Sequence, residues 1–167
     1  MHPSTSAVPG TLRTGRKISA EAHLEKYWRA VEGKEIQLFH TVDAELDRGC
    51  DAGWITAVIQ GVVLGLDRAS PGMVHVYTRQ SWWDRFVLPW SGWGDYGLHA
   101  ARYQGGLAGP WSDGRFQFRD WQSWRLWQFS ADGNRQGPKY GAESDDMDLN
   151  WWNGTEEELR AGMAQAI

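Results

Sequence analysis

The sequence has one cysteine, Cys50, so no disulfide can form within the chain. The fold therefore does not depend on an oxidising compartment, and an extracellular role stays open. No apolar run approaches the ~18 residues needed to cross a bilayer, which excludes a membrane-spanning chain. Positive charge is not in excess. The 17 Lys and Arg stand against 21 Asp and Glu, a formal charge of −4. That excludes nucleic acid as the main partner, because phosphate binding needs a concentrated basic surface. Residues 1–10 are rich in His, Pro, Ser and Thr and lack the apolar core of a secretory signal. Residues 1–16 read as a flexible tail or the remains of an upstream segment, and any export uses another route.

Several catalytic signatures are missing as well. No G-x-S-x-G nucleophile elbow occurs. His2, His23, His40, His75 and His99 are scattered, with no H-E-x-x-H and no Cys cluster, so neither a metal nor another cofactor is expected. Gly92-Trp93-Gly94-Asp95-Tyr96-Gly97 fits G-x-G-x-x-G, but it does not lie between a strand and a helix, so dinucleotide binding is not expected.

What is present fits a folded domain. The chain has 167 residues, 41% hydrophobic and 23% charged, which suits one domain with one core. Twelve Trp is more than a core of this size needs. Trp joins a flat apolar face to one N–H donor, which suits stacking on sugar rings as well as core packing.

Ser19 can cap a helix that runs to about Glu32 and ends at Gly33. Residues 36–43 read as a strand, with Ile36, Leu38 and Val42 on one face and Phe39, Thr41, Asp43 and Glu45 on the other. Residues 53–67 form the clearest helix, lined by Ile55, Val58, Ile59, Val62 and Leu66, and Ser70-Pro71-Gly72 breaks it. A strand at 73–78, a short helix or turn at 80–87, a loop at 88–97 and a strand at 98–103 follow. Residues 104–121 carry Gly, Pro and alternating aromatics, suggesting a hairpin or an active-site loop. A strand at 124–130, a polar loop at 131–146 and a short segment at 147–151 lead to a last helix from Thr155, with Glu158 at the capping-box position. The alternation at the front predicts parallel α/β units, and the strand-rich end departs from a regular barrel.

Asp43 and Glu45 lie two residues apart on a strand, so they point to one side, where the strand gives way to the 46–53 loop. Two carboxyls held close do not both ionise easily. A protonated acid beside an ionised one is what glycosidic cleavage requires. A pair of solvated loop acids is the plainer alternative for D-x-E alone. Asp148 is a third candidate acid, beside Asn150 and Trp151, though Asp145 and Asp146 nearby also fit an ordinary acidic loop.

Taken in order, five segments resemble the glycoside hydrolase family 25 lysozymes, the Chalaropsis-type muramidases. Thr41-Val42-Asp43-Ala44-Glu45 resembles their D-x-E strand. Val74-His75-Val76-Tyr77-Thr78 with Ser81-Trp82-Trp83 is similar to "IYT…FW", and Leu98-His99-Ala100-Ala101-Arg102-Tyr103 to "LWIARY". Trp124-Arg125-Leu126-Trp127-Gln128-Phe129-Ser130 resembles "WxxWQYS", and Met147-Asp148-Leu149-Asn150 resembles "VDLN". The matches cover about residues 17–155.

The resemblance implies a flattened α/β barrel whose last strands lack full helices. It also implies retaining cleavage of the β-1,4 bond between N-acetylmuramic acid and N-acetylglucosamine in peptidoglycan. Glu45 falls on the family's general acid, Asp43 on its partner and Asp148 on a third active-site acid. Tyr77, Tyr103 and Trp127 fall on or near aromatic positions of the sugar groove, and Gln128 and Asn150 are further candidates for substrate contact. The action implied is on the cell wall, extracellular or phage-delivered. An inactive wall-binding or structural descendant is the competing expectation.

Family members open with a "GIDVSxxQ" strand, and this sequence has no such segment. The fold class expected is therefore α/β, an incomplete or modified TIM-like (β/α) barrel with a strand-rich C-terminal part, in a lysozyme-like domain at 17–167. Barrels of this type usually need at least ~200 residues. A sheet lacking strands exposes its edges and core. A second copy in a homo-oligomer, a partner chain carrying the front half, or a rearranged fold must cover them.

Overall fold

The computed structural model describes residues 17–36, 38–103 and 117–165. The expected tail at 1–16 and residues 104–116 of the aromatic stretch lie outside the described residues.

Helix α1 (Ala20–Val31) starts where Ser19 Oγ accepts the Ala22 amide at 3.3 Å, and the chain leaves it through Gly33 at φ +70°. Helix α2 (Ala52–Ala69) is longer than the 53–67 expected. Its Asp51 cap accepts the Trp54 amide at 2.8 Å, a signal one residue before the apolar pattern begins. Helix α3 (Gln80–Phe86) is short. Helix α4 (Glu156–Gln165) opens with the reciprocal capping box: Thr155 N–H donates to Glu158 and Glu158 N–H donates to Thr155 Oγ1.

Strands β1 (His40–Asp43), β2 (Val74–Thr78), β3 (Gly97–Ala101), β4 (Leu126–Ser130) and β5 (Leu149–Trp152) form one sheet in the order β1-β2-β3-β4-β5. The first four run parallel and β5 is antiparallel to β4. Edge strands β1 and β5 do not pair with each other, so the barrel is not closed. The fold is thus a mixed α/β structure built on an open five-stranded sheet.

The first strand is shorter than the 36–43 reading. Pairing begins at His40, because the partner strand starts only at Val74, after the Pro71-Gly72 turn. Leu38 is left exposed, and Phe39 stacks on His75 at 3.9 Å instead of joining a ladder. The segment ahead of the fourth strand differs too. Trp124 is a buried loop residue, and β4 begins two residues later.

The two faces of the sheet have opposite character. On the covered face Val74, Val76, Leu98, Ala100, Trp127 and Phe129 join Ile55, Ile59, Val63 and Leu66 of α2 in the core. Much of the Trp surplus goes into the same layer. Trp83, Trp93 and Trp121 are buried, and each indole N–H has a partner: Asp120 at 2.7 Å, the Leu88 carbonyl at 3.2 Å and the Tyr96 carbonyl at 2.9 Å. Burial with the donor satisfied is what lets Trp serve as core. The other face carries the polar residues described next.

Candidate active site

Register decides which side chains share the open face. Asp43 pairs with Tyr77 and Tyr77 with His99, giving one row across three strands. Ala101, Gln128 and Asn150 form a second row further along. Thr41, His75 and Gly97 form a row on the other side of the first.

Asp43 ends β1, yet the ladder continues one residue further. The Ala44 amide donates to the Tyr77 carbonyl at 2.9 Å, and Thr78 Oγ1 donates to the Ala44 carbonyl at 2.7 Å. Ala44 is buried on the covered face. Pinning Ala44 in extended geometry therefore sends Asp43 and Glu45 to the open face together. Burial, and then the charge of Glu45, push the Asp43 carboxyl above the ordinary carboxylate value.

Tyr77 is the centre of the arrangement. Its hydroxyl donates to Gln128 Oε1 at 2.5 Å and lies 3.5 Å from the Tyr103 hydroxyl. Tyr103 also reaches Gln128 Oε1, at 3.3 Å. Gln128 is buried and accepts both phenols. Burial raises the Tyr77 phenol above its ordinary value, followed by the Tyr103 hydrogen bond and the charges of Tyr103, Glu45 and Asp148. Glu45 from just after the first strand and Asp148 from just before the fifth thus act on one hydroxyl. The site gathers acids from both ends of the sheet around a neutral phenol.

Asn150 and His99 complete this face. His99 Nε2 lies 2.7 Å from Asn150 Oδ1, and its ring meets Tyr77 edge-on at 5.0 Å. Burial lowers the His99 imidazole, opposed by the Asn150 hydrogen bond and the Asp148 charge. Beside it His75 is 4% exposed, stacked under Phe39 and packed so closely on Gly97 that a side chain at 97 would strike its ring. Sequence reading passed over both histidines as scattered. The usable signal was parity: His75 and Tyr77 alternate on one strand, and His99 has the same register on the next.

Among the proposed groove residues, the open face brings together Asp43, Glu45, Tyr77, Tyr103, Gln128, Asn150 and Asp148. Trp127 is a correction. It is adjacent to Gln128 and so points to the covered face. It is 1% exposed, with its N–H donated to the Arg102 carbonyl at 2.8 Å, and it packs near Trp124 and Phe129. A ring buried there has no face left to stack on a sugar.

A cavity of about 650 Å³ lies beside the Asp43 end of this row, between α1, the free edge of β1 and α2. Ile18, Leu46, Trp54, Val58 and Val62 line it, with Asp43 at one side. Its apolar lining lacks Glu45, Tyr77 and Asp148, so it does not hold the acid chemistry. Among the described residues no three His, Cys, Asp or Glu side chains group as metal ligands, and no helix is long and apolar enough to cross a membrane.

No family model and no curated protein matches the chain. Solved structures do. The bacterial lysozyme from Streptomyces coelicolor is similar at 19% identity with a TM-score of 0.65, covering 90% of this chain and 68% of that one. The family GH25 lysozyme from Aspergillus fumigatus is similar at 22% identity with a TM-score of 0.64 and the same coverages, 90% and 68%. A family 25 glycosyl hydrolase from Bacillus anthracis matches at 20% identity with a TM-score of 0.65, covering 86% of this chain and 63% of that one. At these identities the likeness establishes the fold: this chain has the fold of the family 25 lysozymes over about two thirds of their length.

Proposed function

We propose, on the premise of a fold shared with the family 25 lysozymes, that this chain is a glycoside hydrolase that cleaves the β-1,4 bond between N-acetylmuramic acid and N-acetylglucosamine. The observation that carries the reading is that Glu45 and Asp148 both act on the Tyr77 hydroxyl, with Asp43 beside Glu45 and in register with Tyr77, on the open face of that fold. Glu45 donates the proton to the leaving glycosidic oxygen. Asp43 stabilises the positive charge that develops at the sugar, or holds the acetamido group, and Asp148 adds negative charge from the opposite side. Tyr77, Tyr103 and Asn150 bind the saccharide, and the buried Gln128 holds the two phenols in place. Burial and the charge of Glu45 raise the Asp43 carboxyl above its ordinary value, so single variants must separate the two acids.

The substrate is peptidoglycan and the place of action is the cell wall, reached from outside or delivered by a phage. The fold around the site is an open, TIM-like arrangement, and a second copy or a partner chain covers the free edge of β1. The competing reading is a wall-binding protein without turnover. What favours it is the one-sided site, because among the described residues β1, which carries Asp43, has a neighbouring strand on one flank only.

The test is release of reducing ends from purified peptidoglycan. Glu45→Gln lowers the rate by roughly 10²–10⁴-fold, the range for loss of a general acid, while the circular dichroism spectrum stays unchanged. Sedimentation with peptidoglycan and no reducing ends from the unaltered protein supports the wall-binding reading instead.

A further inference from the structure

We propose that His99 is a positioning residue that locks the Asn150 carboxamide with its NH₂ turned to the groove, so that Asn150 donates to an acceptor oxygen of the bound saccharide. The inference rests on the peptidoglycan reading above. It begins from two atoms of one imidazole: Nε2 lies 2.7 Å from Asn150 Oδ1, and Nδ1 is buried without a hydrogen-bond partner.

Those two facts choose the tautomer. An amide oxygen only accepts, so Nε2 carries the proton and donates. The reverse arrangement flips the amide and moves the proton to Nδ1. That leaves a buried N–H with no acceptor, which costs more than a bare lone pair in the same place. The Nε2–H tautomer therefore holds Asn150 by its oxygen. The Asn150 NH₂ is left on the exposed side, with no acceptor among the described residues.

The ring itself is fixed. Tyr77 meets it edge-on at 5.0 Å, and the Tyr77 hydroxyl is held by Gln128, whose register partner is Asn150. His99 thus ties the second row of the open face to the first. A free Asn side chain samples several rotamers and both amide orientations. One held at its oxygen presents its donors in one direction before the sugar arrives, so less order is lost on binding. The acceptor it suits is an uncharged oxygen, an acetamido carbonyl or a hydroxyl.

The experiment uses His99→Phe, which keeps the ring and its contact with Tyr77 but removes Nε2, and His99→Gln, whose amide can still donate to Asn150. On solubilised peptidoglycan, His99→Phe raises KM about 3- to 10-fold, the worth of one neutral hydrogen bond, and changes kcat by less than about twofold. His99→Gln recovers most of the loss. Asn150→Ala gives a similar rise, and adding it to His99→Phe raises KM little further, because both remove one interaction.

Unchanged KM in His99→Phe overturns the proposal. So does a fall in kcat and melting temperature that His99→Gln does not repair, which marks a structural role. If the unaltered protein releases no reducing ends, the hydrolase reading fails by itself and sedimentation with insoluble peptidoglycan becomes the readout. Retention of the unaltered protein and of His99→Gln, with loss in His99→Phe and Asn150→Ala, then supports the positioning role. Equal retention of all four, or of none, overturns it.

Discussion

His75 sits in an environment far from that of solution. Burial, then the charges of His99 and Arg125, lower its imidazole from 6.5 to about 4. In the unfolded chain the same ring takes up a proton near 6.5. Between these values the unfolded state binds more protons than the folded one, so stability is complete above about 6.5 and falls as pH drops toward 4. The full loss is about 3 kcal/mol. Urea unfolding of the unaltered protein at pH 7.5 and pH 4 reads that difference, and His75→Phe flattens it; an identical pH slope in the variant contradicts the assignment. Asp43 shows the opposite sign. Its carboxyl is raised by burial and by Glu45, so at neutral pH the fold carries an ion it disfavours. Asp43→Asn is therefore expected to melt higher than the unaltered protein at pH 7 and to match it near pH 3. Equal or lower melting at pH 7 shows that the carboxylate is not strained. Stability given up at an acid site is a common accompaniment of activity.

At the scale of elements, α1 and α2 touch through glycines. A Cβ added at Gly61 would meet the Ala20 Cβ at 2.5 Å, and one added at Gly65 would strike Leu24. Gly61→Val should separate the helices and destabilise the fold by ~1–3 kcal/mol, the usual cost of overpacking, read from the denaturant midpoint. No change in midpoint contradicts the packing. Neither glycine stood out in the sequence, because close approach between two helices is a tertiary fact. What was legible was local. Ser19 and the Thr155–Glu158 box mark helix starts by their own hydrogen bonds. The apolar spacing of α2 placed Ile55, Ile59 and Leu66 in the core. Ile36, Leu38 and Phe39 were misread because strand character needs a partner, and β2 offers none before Val74. Trp127 was misplaced for a similar reason. The motif carried it into the groove, while parity against Gln128 puts it on the opposite face.

For the whole molecule, the sheet sets where the acids stand. D-x-E was a weak signal while Asp43 and Glu45 were only neighbours in sequence. Parallel pairing sets them on the open face, and Tyr77 feels Glu45 from one end of the sheet and Asp148 from the other. That convergence joins residues more than a hundred positions apart, and spacing alone carries no trace of it. The order of the five matching segments did anticipate the fold, which solved lysozymes share at TM-scores of 0.64 and 0.65. The open edge of β1 and the apolar cavity beside it lie on one side, next to the acids. Turnover by the chain alone is thus the decisive question. The measurement is reducing-end release from purified peptidoglycan by the unaltered protein and by Glu45→Gln, both shown to be folded. Release by the first and a loss of roughly 10²–10⁴-fold in the second are expected. Equal release by both, or none from the unaltered protein, contradicts the hydrolase reading.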